Sequence, residues 1–307
     1  MVSTMDAPTA RVYRAEVCQK TVLSPGMMRV VLGGSDLAGY PTTGSPDEYV
    51  RLFFPDVPGE EPRIPWAVGR GWEFAAGVDP APMRTYTVRA HSAGVVTIDF
   101  VRHAGGLAAE WAEQVRPGDA IGISLPFAQS VLDPAARRIT LVADATALPA
   151  VERIIEQARP DTEIRLFCEV ADASDARLPA AAAERIVRAN WLYESGNGAY
   201  ASRVADVCVR AELAADGSET VWVAGESAMT RRVRSHLRKT LGFPAAHTHL
   251  VGYWTDNERA WNERHDALGG EVRAQLDHLY SAYREVDGTA REAVLDEIYT
   301  LYDRAEL

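Results

Sequence analysis

Two periodicities divide the chain. From Arg11 to about Ser130, runs rich in Val, Ile, Tyr, Phe and Thr alternate with Gly, Pro and Asp turns: Arg29–Leu32, Tyr49–Phe54, Arg84–Arg89, Val95–Val101 and Ala120–Leu125. A period of two in runs this short predicts antiparallel strands in a sheet or closed barrel. The interval Pro55–Pro82, with prolines at 55, 58, 62, 65, 80 and 82 and two tryptophans, has no period and predicts a long surface loop.

After Asp133–Pro134 the pattern changes. Ile139–Ala143 is a continuous apolar strand, and Leu148–Ala158 follows with Val151, Ile154, Ile155 and Ala158 on one helical face. The alternation continues through a strand at Glu163–Val170, a helix at Ala180–Ala189, a short segment at Trp191–Tyr193, a strand at Thr220–Ala224, a helix at Ala228–Leu241 and a strand at Thr248–Trp254. Such units predict a parallel, doubly wound sheet with helices on both faces, joined to the first part by a linker near Leu132–Arg138. Beyond Trp254 the chain is charged and helical. Val272, Leu276, Leu279, Tyr280 and Tyr283 form one apolar stripe and Val294, Leu295, Ile298, Leu301 and Tyr302 another, broken at Asp287–Gly288. These stripes need a partner surface, and packing in cis is the simplest one. The predicted divisions are 11–132, 133–254 and 255–307.

Composition narrows what this architecture can do. Apolar residues make up 47% of the 307 and charged residues 24%, the balance of a folded globular protein. A formal charge of -11 opposes binding to nucleic acid or anionic lipid. Cys18, Cys168 and Cys208 have no paired spacing, which suits a reducing compartment, so the cytoplasm is expected. Met1–Arg11 lacks the apolar core of a signal peptide, and no run reaches the ~18 apolar residues of a spanning helix, so no membrane insertion is expected.

The stretch Arg84-Thr85-Tyr86-Thr87-Val88-Arg89 carries the most specific chemistry. Strand alternation puts Arg84, Tyr86 and Val88 on one face and Thr85, Thr87 and Arg89 on the other unless a bulge intervenes. Tyr86 can stack on an isoalloxazine, Arg84 can pair with a pyrophosphate, and the Thr87 hydroxyl or an N–H at Thr87 or Val88 can bond the reactive edge of the ring. A surface strand with ordinary aromatic packing has the same spacing. Asp99 could accept from a ribityl or adenosine hydroxyl, and His103 could donate to a phosphate or cap a strand. Gly105-Gly106 before an Ala-rich helical turn leaves backbone N–H groups where a diphosphate is accepted.

Two other features carry competing readings. The basic run containing Arg231, Arg232, Arg234, His236, Arg238 and Lys239 could hold the 2'-phosphate of NADPH or the acidic periphery of a ferric chelate, or form a solvated helix face. Gly225-Glu226-Ser227-Ala228-Met229 has the outline of a nucleophile elbow, but Met229 stands where that turn needs a second glycine. His247-x-His249 lacks further ligands, so no protein metal site is expected.

Taken in order, Arg84-x-Tyr86-Thr87-Val88-Arg89, Asp99-Phe100-Val101-x-His103, Gly105-Gly106, Trp111-Ala112, Pro117-Gly118-Asp119, Asp144-x-Thr146-Ala147-Leu148-Pro149-Ala150, Ala224-Gly225-Glu226 and Gly252-Tyr253-Trp254 resemble the siderophore-interacting protein family of FAD-dependent ferric-siderophore reductases, relatives of the ferredoxin reductases. The resemblance covers roughly residues 11–254. It implies an N-terminal antiparallel FAD-binding β-barrel, then a doubly wound NAD(P)-binding-like α/β domain and a helical C-terminal tail. It also implies contacts of Arg84, Tyr86, Thr87 and Val88 with the flavin and pyrophosphate, and of Asp99, Val101 and His103 with the adenylate side. Gly106, Leu107, Ala108 and Ala109 would cradle the diphosphate, and Asp144, Thr146, Ala147 and Trp254 would face the cofactor from the second domain. Arg231 and Arg234 are the candidates for donor or substrate. Leu107 and Ala109 depart from the proline and serine common in the family, and Ala145 stands where its pattern has glutamate. The implied activity is FAD-mediated reduction of a ferric siderophore, with NADPH, NADH or ferredoxin as donor and no amino-acid nucleophile. A non-catalytic siderophore- or flavin-binding protein on the same fold is the alternative.

Overall fold

The computed structural model describes residues 11–69, 71–103, 105–128, 136–286 and 288–305. Most of the expected linker, Asp287 and the segment before Arg11 lie outside these. The chain divides into two compact units. The first comprises Met1–Val131, Thr146–Ala158 and Asp172–Ala182, and the second Leu132–Ala145, Arg159–Ala171 and Ala183–Leu307.

In the first unit β1 (Val12–Ser24), β2 (Met27–Gly33), β3 (Tyr49–Phe53), β6 (Met83–Ser92), β7 (Val95–Val101) and β8 (Ala120–Ser124) close an antiparallel barrel in the order β1-β2-β7-β6-β3-β8. Inward positions recur at every second residue: Val30 and Leu32, Val50 and Leu52, Val96, Ile98 and Phe100, Ile121 and Ile123. Burying a side chain of this size contributes ~1.5–3 kcal/mol, so the alternation fixes which face of each strand turns inward. Helix α1 (Leu107–Gln114) packs Ala108, Trp111 and Ala112 on the same core.

Several expectations need correction. β1 is a full strand that the sequence pattern did not single out, because its second half is largely exposed and polar. The 55–82 interval is not all loop. β4 (Trp66–Val68) and β5 (Gly71–Glu73) pair as a hairpin, and Trp72 and Phe74 pack against Phe53. The turn Gly69 has a φ of +56°, the left-handed region that favours glycine.

The second unit holds a parallel sheet of five strands: β9 (Arg138–Asp144), β10 (Glu163–Glu169), β11 (Ile186–Leu192), β12 (Thr220–Glu226) and β13 (Thr248–Trp254), in the order β11-β10-β9-β12-β13. The order reverses between β9 and β12, the doubly wound arrangement. α3 (Val204–Cys208) and α4 (Ser227–Ser235) pack on one face, where Val142, Phe167, Val223, Met229 and Val233 form a shared core. The helix expected at Ala180–Ala189 is instead a 3-10 turn at Ala180–Glu184 followed by the edge strand β11. Pairing with β10 from Glu163↔Ile186 to Glu169↔Leu192 outweighs the helix propensity of the alanines. The expected helix at 228–241 is α4 followed by a π-helical turn at His236–Thr240.

Helix α2 (Leu148–Gln157) follows β9 in the chain yet belongs to the barrel unit. Arg89 on β6 bonds Glu152 and Glu156 of α2, and Asp175 accepts the Gly26 N–H at 2.8 Å. The tail forms α5 (Glu258–Asp266), α6 (Gly270–Glu285) and α7 (Gly288–Arg304), and α7 packs against α4 of the same unit, where Arg234 bonds Glu292 and Asp296. Leu276, Ile298 and Tyr302 make a small core with Trp261, Leu279 and Leu295.

Candidate functional site

Arg84, Tyr86 and Thr87 lie on the first half of β6. That strand pairs with β3 from Met83↔Phe53 to Thr87↔Tyr49. Its ladder with β7 runs only from Ser92↔Val95 to Val88↔Ile98 and contains a register shift at Arg89. The bulge does intervene, and beyond it β6 departs from β7. The edge of β6 from Met83 to Thr87 that faces β7 therefore stands outside the β6–β7 ladder.

At this end of the barrel Arg84 is exposed, with one guanidinium nitrogen donating to its neighbour's carbonyl at Met83. Tyr86 is half-buried, its ring 4.4 Å from that of Phe100, and burial pushes its phenol well above the ordinary range, so it stays neutral. The Tyr86–Phe100 contact places the start of β6 beside the end of β7, from which the chain passes through Val101 and His103 to Gly105-Gly106 and α1. Both glycines have positive φ, +75° and +100°. A Cβ on Gly105 would enter open space, whereas one on Gly106 would come within 2.8 Å of the His103 ring. Gly106 caps α1 with no side-chain hydrogen bond, and Leu107, Ala108 and Ala109 supply the first-turn N–H groups. The start of β6, with Arg84, Tyr86 and Thr87, and the end of β7, which leads through His103 to the Gly105–Ala109 turn, thus lie at the same end of the barrel.

Two expected contact residues are engaged by other parts of the protein. The Val88 N–H donates to Glu48 O at 2.8 Å, and the Val88 carbonyl accepts from Arg153 at 2.6 Å, so its backbone is committed within the fold. Asp99 has a fully buried carboxylate gripped by Arg29 at 2.7 and 2.8 Å and by Arg177 at 3.2 Å. Both of its oxygens are engaged by these arginines within the barrel unit.

In the second unit, Asp144 ends β9 and is buried. It accepts from Trp254 Nε1 at 2.7 Å and from the Glu226 N–H at 2.9 Å, which joins the carboxyl ends of β9, β12 and β13. Glu226 caps α4 through the Met229 N–H at 2.8 Å. Thr146 and Ala147 lie in the turn between β9 and α2. Sequence reasoning missed Glu169, a buried carboxylate at the end of β10. It accepts from Ser195 and Ser202 at 2.8 Å, and from the Arg203 and Val204 N–H groups at 3.0 and 3.2 Å. It thereby holds the loop from which Asn197 reaches the Ala145 N–H at 3.1 Å. Ser227 donates to Trp254 O at 2.8 Å, a bond that fixes the β13 terminus and gives no nucleophile.

The basic run divides. Arg231 is half-buried, but Arg234 is buried and bonds Glu292, Asp296 and Leu250 O, with Tyr299 beneath its guanidinium at 5.1 Å. Arg238 bonds Asp296 as well. Arg234 is therefore corrected from a ligand contact to an anchor for the tail. It also sits near the C-terminal end of α4, away from the strand ends where ligands of this fold bind.

Family comparison decides the lineage. Residues 16–130 match the siderophore-interacting FAD-binding domain and residues 136–257 match the siderophore-interacting protein model. The chain belongs to the siderophore-interacting protein family. It is 30% identical to a siderophore utilization protein from T. fusca, whose crystal structure it matches with a TM-score of 0.71 over 81% of this chain and 94% of that one. An uncharacterized protein of Mycobacterium tuberculosis is 31% identical over 78% of this chain and 88% of its own. The ferric vibriobactin reductase ViuB of Vibrio cholerae is 27% identical over 87% of this chain and 100% of its own.

FAD is the cofactor of this family member, and the barrel end fits it. An open strand edge beside a half-buried tyrosine suits a planar ring. An exposed arginine and a glycine turn with room at Gly105, opening a helix, suit a diphosphate. Among the described residues no helix is long and apolar enough to cross a membrane.

Proposed function

We propose that this protein reduces ferric siderophores in the cytoplasm, with FAD held at the open β6 edge and a nicotinamide or ferredoxin as electron donor. It is a flavin-dependent oxidoreductase. The observation that carries the reading is the joint placement of Arg84, Tyr86, the released edge of β6 and the Gly105-Gly106 turn at one end of the barrel. The name of ViuB supports the ferric-siderophore substrate.

Bound FAD supplies the conversion between two-electron and one-electron transfer, so that one NAD(P)H reduces two ferric centres and releases one proton. The chain's part is positional. Arg84 pairs with the pyrophosphate, Tyr86 flanks the ring as a neutral phenol, and Thr87 offers its hydroxyl and N–H at the ring edge. The Gly105–Ala109 turn accepts the diphosphate on backbone N–H groups, where Leu107 and Ala109 offer no hydroxyl. His103, packed on Gly106, keeps that turn in place. Asp144 fixes the indole of Trp254 at the carboxyl edge of the sheet, the edge at which we place the donor. The residue divisions 11–132, 133–254 and 255–307 are proposed as the cofactor, donor and tail segments.

The decisive assay records the visible spectrum after FAD loading and gel filtration, then follows capture of Fe(II) by a ferrous chelator with NADPH, NADH or reduced ferredoxin. The expected result is retained flavin bands and Fe(II) release above a control of free FAD. Flavin retention and siderophore binding without Fe(II) release would instead identify a binding protein. Arg84→Ala is expected to raise the FAD Kd about tenfold, the loss of one charge-assisted bond of roughly 1.5 kcal/mol. The apo-protein should melt as before, since Arg84 is exposed. Flavin titration of the variant beside a thermal melt checks both statements.

A further inference from the structure

Arg89, which ends the Arg84–Arg89 motif, has no role in the cofactor site given above, and its surroundings give it one. Arg89 occupies the register shift of β6 against β7. A bulge inserts an unmatched residue, bends its strand and re-aims the side chains beside it. Here α2 grips the bulge. Arg89 Nε donates to Glu152 at 2.5 Å, and its two terminal nitrogens donate to Glu156 at 3.0 and 2.7 Å. Arg153, the next residue of α2, donates to the Val88 carbonyl at 2.6 Å. The peptide on the other side of Val88 is held as well, through its N–H to Glu48 O. Both peptide planes flanking Val88 are thus fixed, one residue from Thr87.

The grip is built into the interior. Arg153 is buried and lies 3.8 Å from the Glu48 carboxylate. Glu48 is also buried, and its other oxygen accepts from the hydroxyls of Thr42 and Thr43 at 2.8 and 2.6 Å. Glu152 continues outward to Arg177 at 2.6 Å, and Arg177 continues to Asp99. Without the contacts at Val88 and Arg89, β6 could realign with β7 and close the edge on which Thr87 lies.

We propose that Arg153, with Arg89, is a positioning residue for the flavin edge: it holds the β6 bulge so that Thr87 meets the ring in a fixed orientation. The inference rests on the placement of FAD at β6 given above. In this role each arginine acts through the backbone of Val88 and Arg89 and not through a contact of its own with the ring. Lysine at position 153 can still reach one carbonyl, whereas methionine keeps the length and removes the donor.

The test compares FAD-loaded Arg153→Met, Arg153→Lys and Ile121→Val, the last a core variant on β8, a strand that does not pair with β6. The readouts are the position and fine structure of the bound-flavin absorption band, visible circular dichroism, FAD Kd and the melting temperature of the apo-protein. Arg153→Met is expected to raise the FAD Kd about tenfold and to shift the bound-flavin spectrum toward that of free FAD. Arg153→Lys should recover most of both, and Ile121→Val should lower the melting temperature with the spectrum unchanged. An Arg153→Met protein that melts lower yet keeps the wild-type spectrum and Kd overturns the proposal, as does a lysine variant no better than methionine. Failure of the wild-type protein to retain FAD would instead overturn the FAD placement. If Arg153→Met does not fold, Arg89→Lys and Arg89→Met are compared in the same way, with the same outcomes deciding.

Discussion

Replacing Asp99 with alanine is expected to cost the barrel unit about 3 kcal/mol, the lower end for breaking a buried ion pair from one side. The carboxylate is fully buried and accepts two bonds from Arg29 and one from Arg177. Its loss leaves two guanidinium groups without their shared carboxylate, Arg177 keeping Glu152 as its remaining partner. Both retain some solvent, with side-chain exposures of 30% and 21%, which keeps the cost from the upper end. Arg177 also donates to Glu152, so the loss propagates to α2 and to Arg89. Denaturant unfolding of the FAD-free protein measures the effect directly. Asp99→Asn should fall between wild type and alanine, since an amide oxygen can still accept. If Asp99 served the adenylate instead, alanine would weaken FAD binding and leave the apo-protein as stable as before.

The contrast between those outcomes reflects what a sequence can carry. The barrel's inner face was legible because Val30, Leu32, Ile98, Phe100, Ile121 and Ile123 repeat at a period set by the strand itself. The parallel sheet was legible because Ile139–Ala143 and Thr220–Ala224 are continuous apolar runs buried on both faces. β11 was not, because Ile186–Leu192 is an edge strand whose residues alternate only between exposed and half-buried, and four alanines precede it. Arg84, Tyr86 and the glycine turn were readable as a set, since strand alternation and a helix start are local facts. The partners that Asp99, Val88 and Arg234 have within the protein were not readable for one reason: they lie far along the chain. Arg177 is 78 residues from Asp99, Arg153 is 65 from Val88, and Asp296 is 62 from Arg234. A charged residue in a motif looks the same whether it faces a phosphate or a buried countercharge. Arg89 offered one signal, because its side chain falls on the outer face only if the strand runs without a bulge.

Gly225→Ala carries the largest expected effect in the second unit, about 4 kcal/mol, from backbone strain and overpacking together. At a φ of +146° the backbone disfavours any L side chain, and an added Cβ would lie 2.7 Å from Asp144 Cγ and 2.8 Å from Met229 Cε. The carboxylate has little freedom to withdraw. Asp144 holds Trp254 Nε1 and the Glu226 N–H, and giving up either leaves a polar group without its bond at the carboxyl edge of the sheet. Met229 is equally constrained, being buried in the core that α4 shares with the sheet. Gly242→Ala gives the cost of a left-handed position without a clash. Its φ is +66° and its Cβ would meet nothing within 4 Å, so it bears backbone strain alone, about 1 kcal/mol. Chemical unfolding of the pair, with tryptophan emission as a second readout of the Trp254 environment, gives the difference. A deficit of roughly 3 kcal/mol between them assigns the excess to the close approach of β12 to Asp144 together with the more costly φ of Gly225. Equal losses would mean that Asp144 can leave Trp254 at little cost, and the hydrogen bond that joins the ends of β9 and β13 would lose its place in organising the carboxyl edge of the sheet.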